Sequence, residues 1–367
     1  MRRILGFRSE IILATLASLI LTCVSAAYEL ELPSEEYRWI KVETSNFTVF
    51  SNAEEKIARK AAVSLEQLWV LLARDFDGVP SVSPVPTYVF VFDFFTDTYL
   101  PYGPLSKKGK PKKSGGYHVG GKSANYIAIV ERDYRYPNRL DIYHDYVHAV
   151  LDSHHPGFPL WMEEGLAEYY SVFHIKDGRA RVGYRFNRHI ARIRNEPLIP
   201  LAELFAIDRN SPEYNEEDRT GIFYAESWLL THLLLTERPE GRAQAEAYAG
   251  LLREGVDRET AFTRAFNTTY GELEAQLRKY IRAHSYHYKE FPLSTKIFKN
   301  TEISEMTRTE LLFRLGDLLV NGLSDRHDFA TEHFKAALAL DESYEPAIAG
   351  LGQAAEAVGG REAASAH

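Results

Sequence analysis

HDYVH at residues 144–148 and LWMEEGLAEYY at residues 160–170 are the two segments that decide the fold of this chain. On a helix, a spacing of four residues places His144 and His148 on one face, a turn apart. The second segment carries apolar side chains at helical spacing, so it predicts a second, packed helix. Two histidines four residues apart are common on partly buried helices, so the first segment alone is a weak indication of a site.

The carboxylates of the second segment favour a metal site. Glu164 and Glu168 lie on one face of the predicted helix, and a carboxylate on a packed face is costly unless it is paired or bound to metal. Gly165 leaves room for the two helices to approach each other. Two histidines at this spacing can bind one zinc ion, and a cation between the two helices would relieve the cost of the buried carboxylates. An exposed acidic stripe is the alternative interpretation, and it fits Glu163 better than the other two glutamates.

The two segments together resemble the peptidase MA-like gluzincins, whose pattern is HExxH followed by W-x-x-E-G-x-A-E-Y. The resemblance covers residues 37–285 and implies a thermolysin-like catalytic core. It implies one zinc ion, Zn²⁺, bound by His144, His148 and Glu164. It also implies that Glu168 accepts a hydrogen bond from the first histidine and fixes its tautomer.

The resemblance further implies hydrolysis of peptide bonds by a water held on the zinc ion. Asp145 stands where the family has a glutamate that takes the proton of this water. Its side chain is one methylene shorter, which withdraws the carboxylate by about 1.5 Å, and misplacement on that scale can cost about 10²-fold in rate. The implied function is a zinc metallopeptidase, a hydrolase whose activity depends on the placement of Asp145.

Two further regions correspond to parts of the family's active site. Tyr224 lies about as far downstream as the tyrosine that stabilises the transition state in aminopeptidase N-like relatives, although packing between helices explains it equally well. Residues 124–130 correspond to the edge strand that pairs with an extended peptide substrate. This makes Asn125, Tyr126 and Ile127 candidates for substrate binding. No motif for capture of a substrate amine is evident, which favours an endopeptidase.

The order of the predicted elements indicates an α+β fold with a small N-terminal sheet and a helical C-terminal half. Strands are predicted within 37–51, 87–92 and 125–130, helices at 52–75, 139–153 and 159–172, a hairpin at 173–185, and helices near 222–236, 240–253, 258–266 and 270–284. The hairpin turns at Asp177-Gly178. These elements make up one metallopeptidase domain over residues 37–287.

The C-terminal residues 309–358 form a separate helical tail after a linker at 288–308. Leu315-Gly316 recurs 36 residues later, and Ala330, Phe334 and Ala337 stand between the two pairs at helix-packing intervals. The tail therefore resembles a tetratricopeptide repeat (TPR) with a slightly longer loop. One repeat is too short to fold alone. We expect it to pack on the preceding domain, with at most a weak protein contact of its own.

The N-terminus has the features of a cleaved signal peptide over residues 1–26. Arginines precede an apolar stretch at 11–22 that is too short to span a bilayer, and small residues follow it. A secreted or periplasmic protein without a membrane span is therefore expected. A lipid anchor at Cys23 is disfavoured because Thr22 precedes it. Cys23 is the only cysteine, so the mature chain is expected to have no disulfide and no thiolate ligand.

Composition and motifs exclude several other functions. The formal net charge is -8, and the one basic run, at 107–113, is interpreted as a solvated loop, so a nucleic-acid partner is not expected. Serine, cysteine and phosphate-loop chemistry have no supporting motif. Two alternatives to a peptidase acting on peptides or proteins stay open. One is an inactive zinc-binding relative that binds proteins or peptides in the cell envelope, which Asp145 and the tail favour. The other is a structural helical protein without metal.

Overall fold

A computed structural model describes residues 31–93, 98–105, 115–121, 123–130, 138–214, 221–283, 285–293, 301–323 and 326–365. The chain divides into two units, Met1–Ser34 and Glu35–His367, and the sheets and helices of the described residues belong to the second. The predicted signal peptide with Cys23 and the basic run lie outside the described residues. Among the described residues, no helix is both long enough and apolar enough to cross a membrane.

Within the described residues, six strands form the main sheet in the order β4-β5-β3-β2-β1-β9. They are β1 (Ile40–Glu43), β2 (Phe47–Ser51), β3 (Thr87–Phe92), β4 (Gly116–Val119), β5 (Asn125–Val130) and β9 (Glu302–Glu305). Strands β2, β3 and β5 are parallel to one another, whereas β4 and β1 are antiparallel to their neighbours. Helix α1 (Glu55–Asp75) connects β2 to β3, since parallel neighbours need a crossover connection.

Both faces of this sheet are covered, so its central strands are continuous apolar runs. On one face, Val89 and Val91 of β3 join the main core, where α1 and α2 (Asn138–His154) pack against the strands. On the other face, Phe90 and Phe92 are also fully buried. The sheet therefore separates two layers of helices.

The chain beyond β5 is largely helical, as the sequence predicts. The helices are α3 (Leu160–Ser171), α4 (Asn187–Asn195), α5 (Leu201–Leu204), α6 (Ile222–His232), α7 (Gly241–Arg253), α8 (Arg258–Phe266) and α9 (Tyr270–Ile281). Helix α6 continues into a π-helical turn, Leu233–Glu237. The prediction of a mixed α+β fold with a helical C-terminal half is confirmed.

A second sheet has the order β6-β7-β8, with strands β6 (His174–Lys176), β7 (Arg179–Val182) and β8 (Lys289–Pro292). The predicted hairpin turn is confirmed, because Asp177 and Gly178 join β6 to β7 with φ values of 53° and 70°. Such positive values match the turn that this residue pair favours.

Residues 288–308, predicted as a linker, differ from that prediction, because they contain two strands. Strand β8 pairs with β7, where Glu290 accepts hydrogen bonds of 2.8 Å from Nε of Arg179 and from Nε of Arg181. Strand β9 pairs with β1, and Ile303 is its one apolar contact with the core. The pairing partners of both strands lie far away in the sequence. The residues of β8 and β9 also carry no alternating apolar pattern, so nothing local predicted these strands.

The tail contains three helices, α10 (Arg308–Gly322), α11 (His327–Leu340) and α12 (Glu345–Ser365). As predicted, it packs on the preceding domain, against the second face of the main sheet. The Arg314 guanidinium lies 4.7 Å from the ring centre of Tyr88 and 5.3 Å from that of Phe50. The Tyr126 hydroxyl donates a hydrogen bond of 3.1 Å to Asp317 Oδ2.

Two glycines enclose Phe334 at the centre of the tail. A Cβ atom added to Gly316 would lie 2.7 Å from Phe334 Cε1, and one added to Gly350 would lie 2.6 Å from the same atom. Gly352, the glycine of the predicted second Leu-Gly pair, would meet no atom within 4 Å. The structural repeat of Gly316 is therefore Gly350, two residues before the position that the sequence indicates.

Helix α3 packs closely against α6 at Gly165. A Cβ atom there would lie 2.1 Å from Thr231 Oγ1 and 2.5 Å from the carbonyl oxygen of Ser227. The glycine was expected to let α3 approach α2, but the helix that needs its missing side chain is α6. Because Glu164 directly precedes Gly165, this contact also fixes the position of that carboxylate.

We expect Gly165→Ala to lower the free energy of unfolding by about 1–3 kcal/mol, because the new methyl group overpacks the α3–α6 contact. Urea denaturation of the two proteins measures this. The matched control is Gly271→Ala on α9, where an added Cβ meets no atom within 4 Å. Alanine should be neutral or stabilising there, by up to about 1 kcal/mol. Equal effects of the two substitutions would contradict the close approach of α3 and α6.

A buried carboxyl group on α6 makes stability depend on pH. Burial raises the pKa of Glu226 to about 8 from 4.5, although its Oε2 accepts a hydrogen bond of 2.7 Å from Ile199 N. The folded protein therefore keeps a proton that the unfolded chain loses above the ordinary pKa. The contribution of Glu226 to the free energy of unfolding consequently falls as pH rises through this window, and it becomes constant above the folded-state pKa.

We expect Glu226→Gln to remove this fall, because glutamine has no proton to lose and still accepts the bond from Ile199. The variant should lie within about 1 kcal/mol of the wild type at about pH 5 and exceed it by a few kcal/mol at about pH 8. Urea denaturation at both pH values tests this. A stability difference that is the same at both would show that the Glu226 carboxyl group is not the cause.

Candidate metal centre and cleft

Helices α2 and α3 bring the residues of the two quoted segments together. The connection between them turns at Gly157, with a φ of 86°, and Pro159 precedes the first residue of α3. Trp161 packs on Phe205 with ring centres 4.7 Å apart and anchors the start of α3. The two helices therefore face each other with His144 and His148 on one side and the glutamates of α3 on the other.

Three polar atoms converge at the point where the helices meet. Nε2 of His144 and Nε2 of His148 are 3.0 Å apart, and each lies 3.1 Å from Oε2 of Glu164. His144 and Glu164 are each 3% exposed, whereas the side chain of His148 is 21% exposed. The predicted ligand set is thus assembled in a buried place that stays open on the side of His148.

These three side chains fit a divalent metal ion. Ligand atoms bound to zinc at about 2.0–2.1 Å in a tetrahedron lie roughly 3.3 Å from one another, close to the separations found here. Burial by itself would raise the pKa of Glu164, but hydrogen bonds from His144 and His148 outweigh it and hold the pKa well below its ordinary value. The carboxylate is therefore ionised, and the three-residue group could hold a metal ion.

Glu168 lies one turn beyond Glu164 and contacts two imidazoles. Its Oε1 lies 3.5 Å from Nδ1 of His144, and its Oε2 lies 3.2 Å from Nε2 of His189. Burial by itself would raise the pKa of Glu168, but the charges of His144 and His189 outweigh it and lower the pKa. Glu168 thus faces the nitrogen of His144 that points away from Glu164, as expected for a residue that fixes the tautomer of this histidine.

His189 is the residue at this centre that sequence reasoning missed. It lies on α4, is fully buried, and belongs to no motif. One signal was available, because Phe186, His189, Ile190 and Ile193 are the buried positions of this segment and recur at helical spacing. A histidine on such an apolar stripe must find a polar partner, and this one contacts Glu168.

A cleft of about 930 Å³ opens beside the three-residue group. His148 and Glu164 line it, together with Asp145, so Asp145 shares a cavity with two of the predicted ligands. Tyr224 also lines the cleft, is 5% exposed, and donates a hydrogen bond of 3.4 Å to the carbonyl oxygen of Tyr214. Both predicted catalytic residues therefore lie at the cleft.

Strand β4 forms the rim of the cleft through His118. Burial lowers the pKa of His118 to about 4, although the charge of Asp145 acts to raise it. The imidazole is therefore neutral near pH 7, and within the described part of the chain its Nε2 has no hydrogen-bond partner. A neutral imidazole with an unused nitrogen is suited to hydrogen bonding with a molecule in the cleft.

The predicted substrate strand differs in part from the structure. Asn125 lines the cleft, but β5 is an interior strand with β4 on one side and β3 on the other. Tyr126 and Ile127 are buried, and the Tyr126 hydroxyl bonds the tail instead. The prediction that residues 124–130 form the edge strand is wrong, since β4 holds that position among the described strands. Gly120 and Gly121 connect β4 to β5, and their sequence did not indicate that a preceding strand pairs with the outer edge of β5.

No protein-family model matches this chain, and no curated protein matches it. The class that the structure itself defines is a mixed α+β protein whose cleft adjoins a buried His-His-Glu group able to hold a metal ion. The chemistry of this group follows from its own geometry.

We expect the protein to bind one zinc ion per chain, with Glu164→Gln binding it more than about 100-fold more weakly, since even the loss of a neighbouring hydrogen-bond partner costs 10–100-fold. Elemental analysis and titration against a chelator measure stoichiometry and affinity. The matched control is Glu163→Gln. Glu163 pairs with Arg209 at 2.7 Å, so this substitution should leave the zinc affinity unchanged. A wild-type protein that stays metal-free after zinc supplementation would contradict the site.

Proposed function

We propose that this protein is a zinc-dependent metallopeptidase with a gluzincin-like core, acting on peptides or proteins. The observation that carries the proposal is the convergence of His144, His148 and Glu164 from two facing helices, with ligand atoms 3.0–3.1 Å apart beside a cleft. Two nitrogen donors and one carboxylate oxygen, with one position left open, are typical of catalytic zinc.

The surroundings of the site support the same proposal. Asp145 follows the first histidine and lines the cleft, and Glu168 contacts the outer nitrogen of His144. An antiparallel edge strand, β4, borders the cleft. These features correspond in order and kind to those that the sequence resemblance implies.

The chain's own residues supply the proton transfers and the hydrogen bonds. A bound zinc ion contributes Lewis acidity and lowers the pKa of a water that it coordinates. Asp145 accepts a proton from the attacking water and returns it to the leaving amine. The Tyr224 hydroxyl and the neutral His118 imidazole line the cleft, and we assign to them the donation of hydrogen bonds to the developing oxyanion, for which Tyr224 exchanges its bond to the Tyr214 carbonyl oxygen.

The backbone of β4 is the part of the site best suited to hold an extended substrate. Its other edge pairs with β5 from Gly116 to Val119, and among the described strands no second strand pairs with its outer edge. A free strand edge binds peptides by main-chain hydrogen bonds, which give affinity with little sequence preference. The substrate contacts assigned above to Tyr126 and Ile127 therefore move to β4, next to Asn125.

The tail belongs to the proposal as a TPR-like unit with a structural role. Gly316 and Gly350, which enclose Phe334, are 34 residues apart, the period of this repeat class. Arg314 and Asp317 are engaged with the sheet, so this face of the tail is not available to a partner. We further propose that the protein is exported, on the basis of the signal peptide expected at residues 1–26.

An inactive zinc-binding protein is the second candidate, and the shorter side chain of Asp145 is the observation that favours it. Such a protein would keep the metal as a structural link between α2 and α3 and would bind proteins or peptides in the cell envelope without cleaving them. Zinc content alone does not distinguish the two candidates, because Asp145 is not among the three ligands.

We expect the zinc-loaded protein to cleave casein or a mixed peptide library, and Asp145→Asn to lower kcat/KM by about 10²–10⁴-fold, because the amide cannot take a proton. Zinc affinity should stay unchanged in this variant. Asp145→Glu should keep measurable activity, because it retains the carboxylate. Cleavage rates are measured by fluorescence and cleavage sites by mass spectrometry.

The matched control is Asp141→Asn, which removes an exposed aspartate one turn earlier on α2. It should change kcat/KM less than about threefold, as expected for a surface substitution away from the chemistry. If neither the wild type nor Asp145→Glu cleaves any peptide while both bind zinc, the inactive candidate is correct.

A further inference from the structure

His189 takes no part in the proposed hydrolysis, yet it is fully buried one contact away from a metal ligand. Its ring centre lies 4.1 Å from that of Phe186 and 6.0 Å from that of Trp228. Packing on these two rings fixes the orientation of the imidazole. If this side chain only filled space, an apolar residue would do so without the free-energy cost of burying two polar nitrogen atoms.

The polar edge of this ring faces Glu168. Nε2 of His189 lies 3.2 Å from Oε2 of Glu168, although the N–H direction is not well aligned with the oxygen. Nδ1 has no hydrogen-bond partner among the described residues. Nε2 is therefore the ring nitrogen suited to donate to Glu168, because an ionised carboxylate accepts hydrogen bonds and does not donate them.

Each oxygen of Glu168 is thereby assigned to one imidazole. Oε2 faces His189, and Oε1 faces Nδ1 of His144 at 3.5 Å. A carboxylate that is 3% exposed needs donors for both oxygens. Without His189, Oε2 would lose the imidazole nitrogen that lies 3.2 Å from it, and the carboxylate would be able to turn away from His144.

We propose that His189 is a positioning residue for the metal centre, which holds Glu168 in the orientation that fixes the tautomer of His144. The chain of contacts runs from His189 through Glu168 to His144, so the effect reaches the metal without any contact between His189 and the ion. The proposal rests on the metal site of the proposed function. It assigns to α4, a helix outside both metal-binding segments, a part in metal affinity.

Two amide substitutions separate this role from simple packing. In His189→Gln the side-chain nitrogen can occupy the position of the imidazole Nε2, facing Glu168. In His189→Asn the amide is shorter and can reach only the position of Nδ1, away from Glu168. Both variants lose the ring and its contact with Phe186, so a packing role predicts similar behaviour for the two.

We expect zinc affinity within about threefold of wild type for His189→Gln and about 10–100-fold weaker for His189→Asn, the usual cost of losing an outer partner of a metal ligand. Competition with a chromogenic chelator gives Kd. The absorption spectrum of the Co²⁺-substituted protein reports ligand geometry and should change only in His189→Asn. Thermal unfolding of the metal-free proteins should show similar losses for both variants.

Glu168→Gln and the double variant Glu168→Gln/His189→Asn complete the test, because His189→Asn should have no further effect on Kd once Glu168 is neutral. His333→Asn is the control, since this histidine of the tail is equally buried but contacts the Tyr102 hydroxyl and not Glu168. It should lower the unfolding temperature and leave Kd unchanged. Equal Kd values for the two His189 amide variants, or additive effects in the double variant, would overturn the proposal. A wild-type protein without zinc would instead overturn the proposed function.

Discussion

The interaction on which the rest of the structure depends is the crowding of three electron-rich atoms at the meeting point of α2 and α3. Two imidazole nitrogens and a carboxylate oxygen lie within 3.1 Å of one another, with His144 and Glu164 almost completely buried. In a medium of low dielectric constant such a group is costly unless a cation or shared protons balance it. Much of the surrounding core serves to hold the two helices at this distance.

Two neighbouring helices, α6 and α4, pack against α3 and restrict its position. Helix α6 lies against α3 at Gly165, where the backbone of Ser227 leaves no room for a side chain. Helix α4 reaches the same helix through His189 and Glu168. Buried contacts with α6 and α4 therefore fix the helix that carries Glu164, and the three-residue group opens into the cleft on the side of His148. Precise placement of ligands by packed neighbours is what a metal site requires.

The sequence predicted the parts of this fold that depend on local periodicity. The two helices that carry the candidate metal ligands and the Asp177-Gly178 turn follow from spacing and residue type, whereas the choice of His144, His148 and Glu164 came from the family resemblance. Strands β8 and β9 could not be predicted, because Glu290 finds Arg179 and Arg181 more than 100 residues away. The edge strand was misplaced for a related reason, since the pattern of β5 is that of any buried strand and does not show which neighbour lies outside it. His189 had a helical signal but no motif.

Strand β4 contacts the cleft on one face of the main sheet and the C-terminal tail on the other. On the cleft side it carries His118, and on the opposite side Tyr117 donates a hydrogen bond of 2.8 Å to the carbonyl oxygen of Tyr102, beside Gly322 of α10. An edge strand is prone to uncontrolled pairing unless its surroundings restrain it. Because the tail packs behind β4, it supports the rim of the cleft from the far face of the sheet. The tail thus contributes to the cleft by fixing one of its walls. A single repeat has little core of its own, so these contacts with the sheet are what keep it attached to the domain.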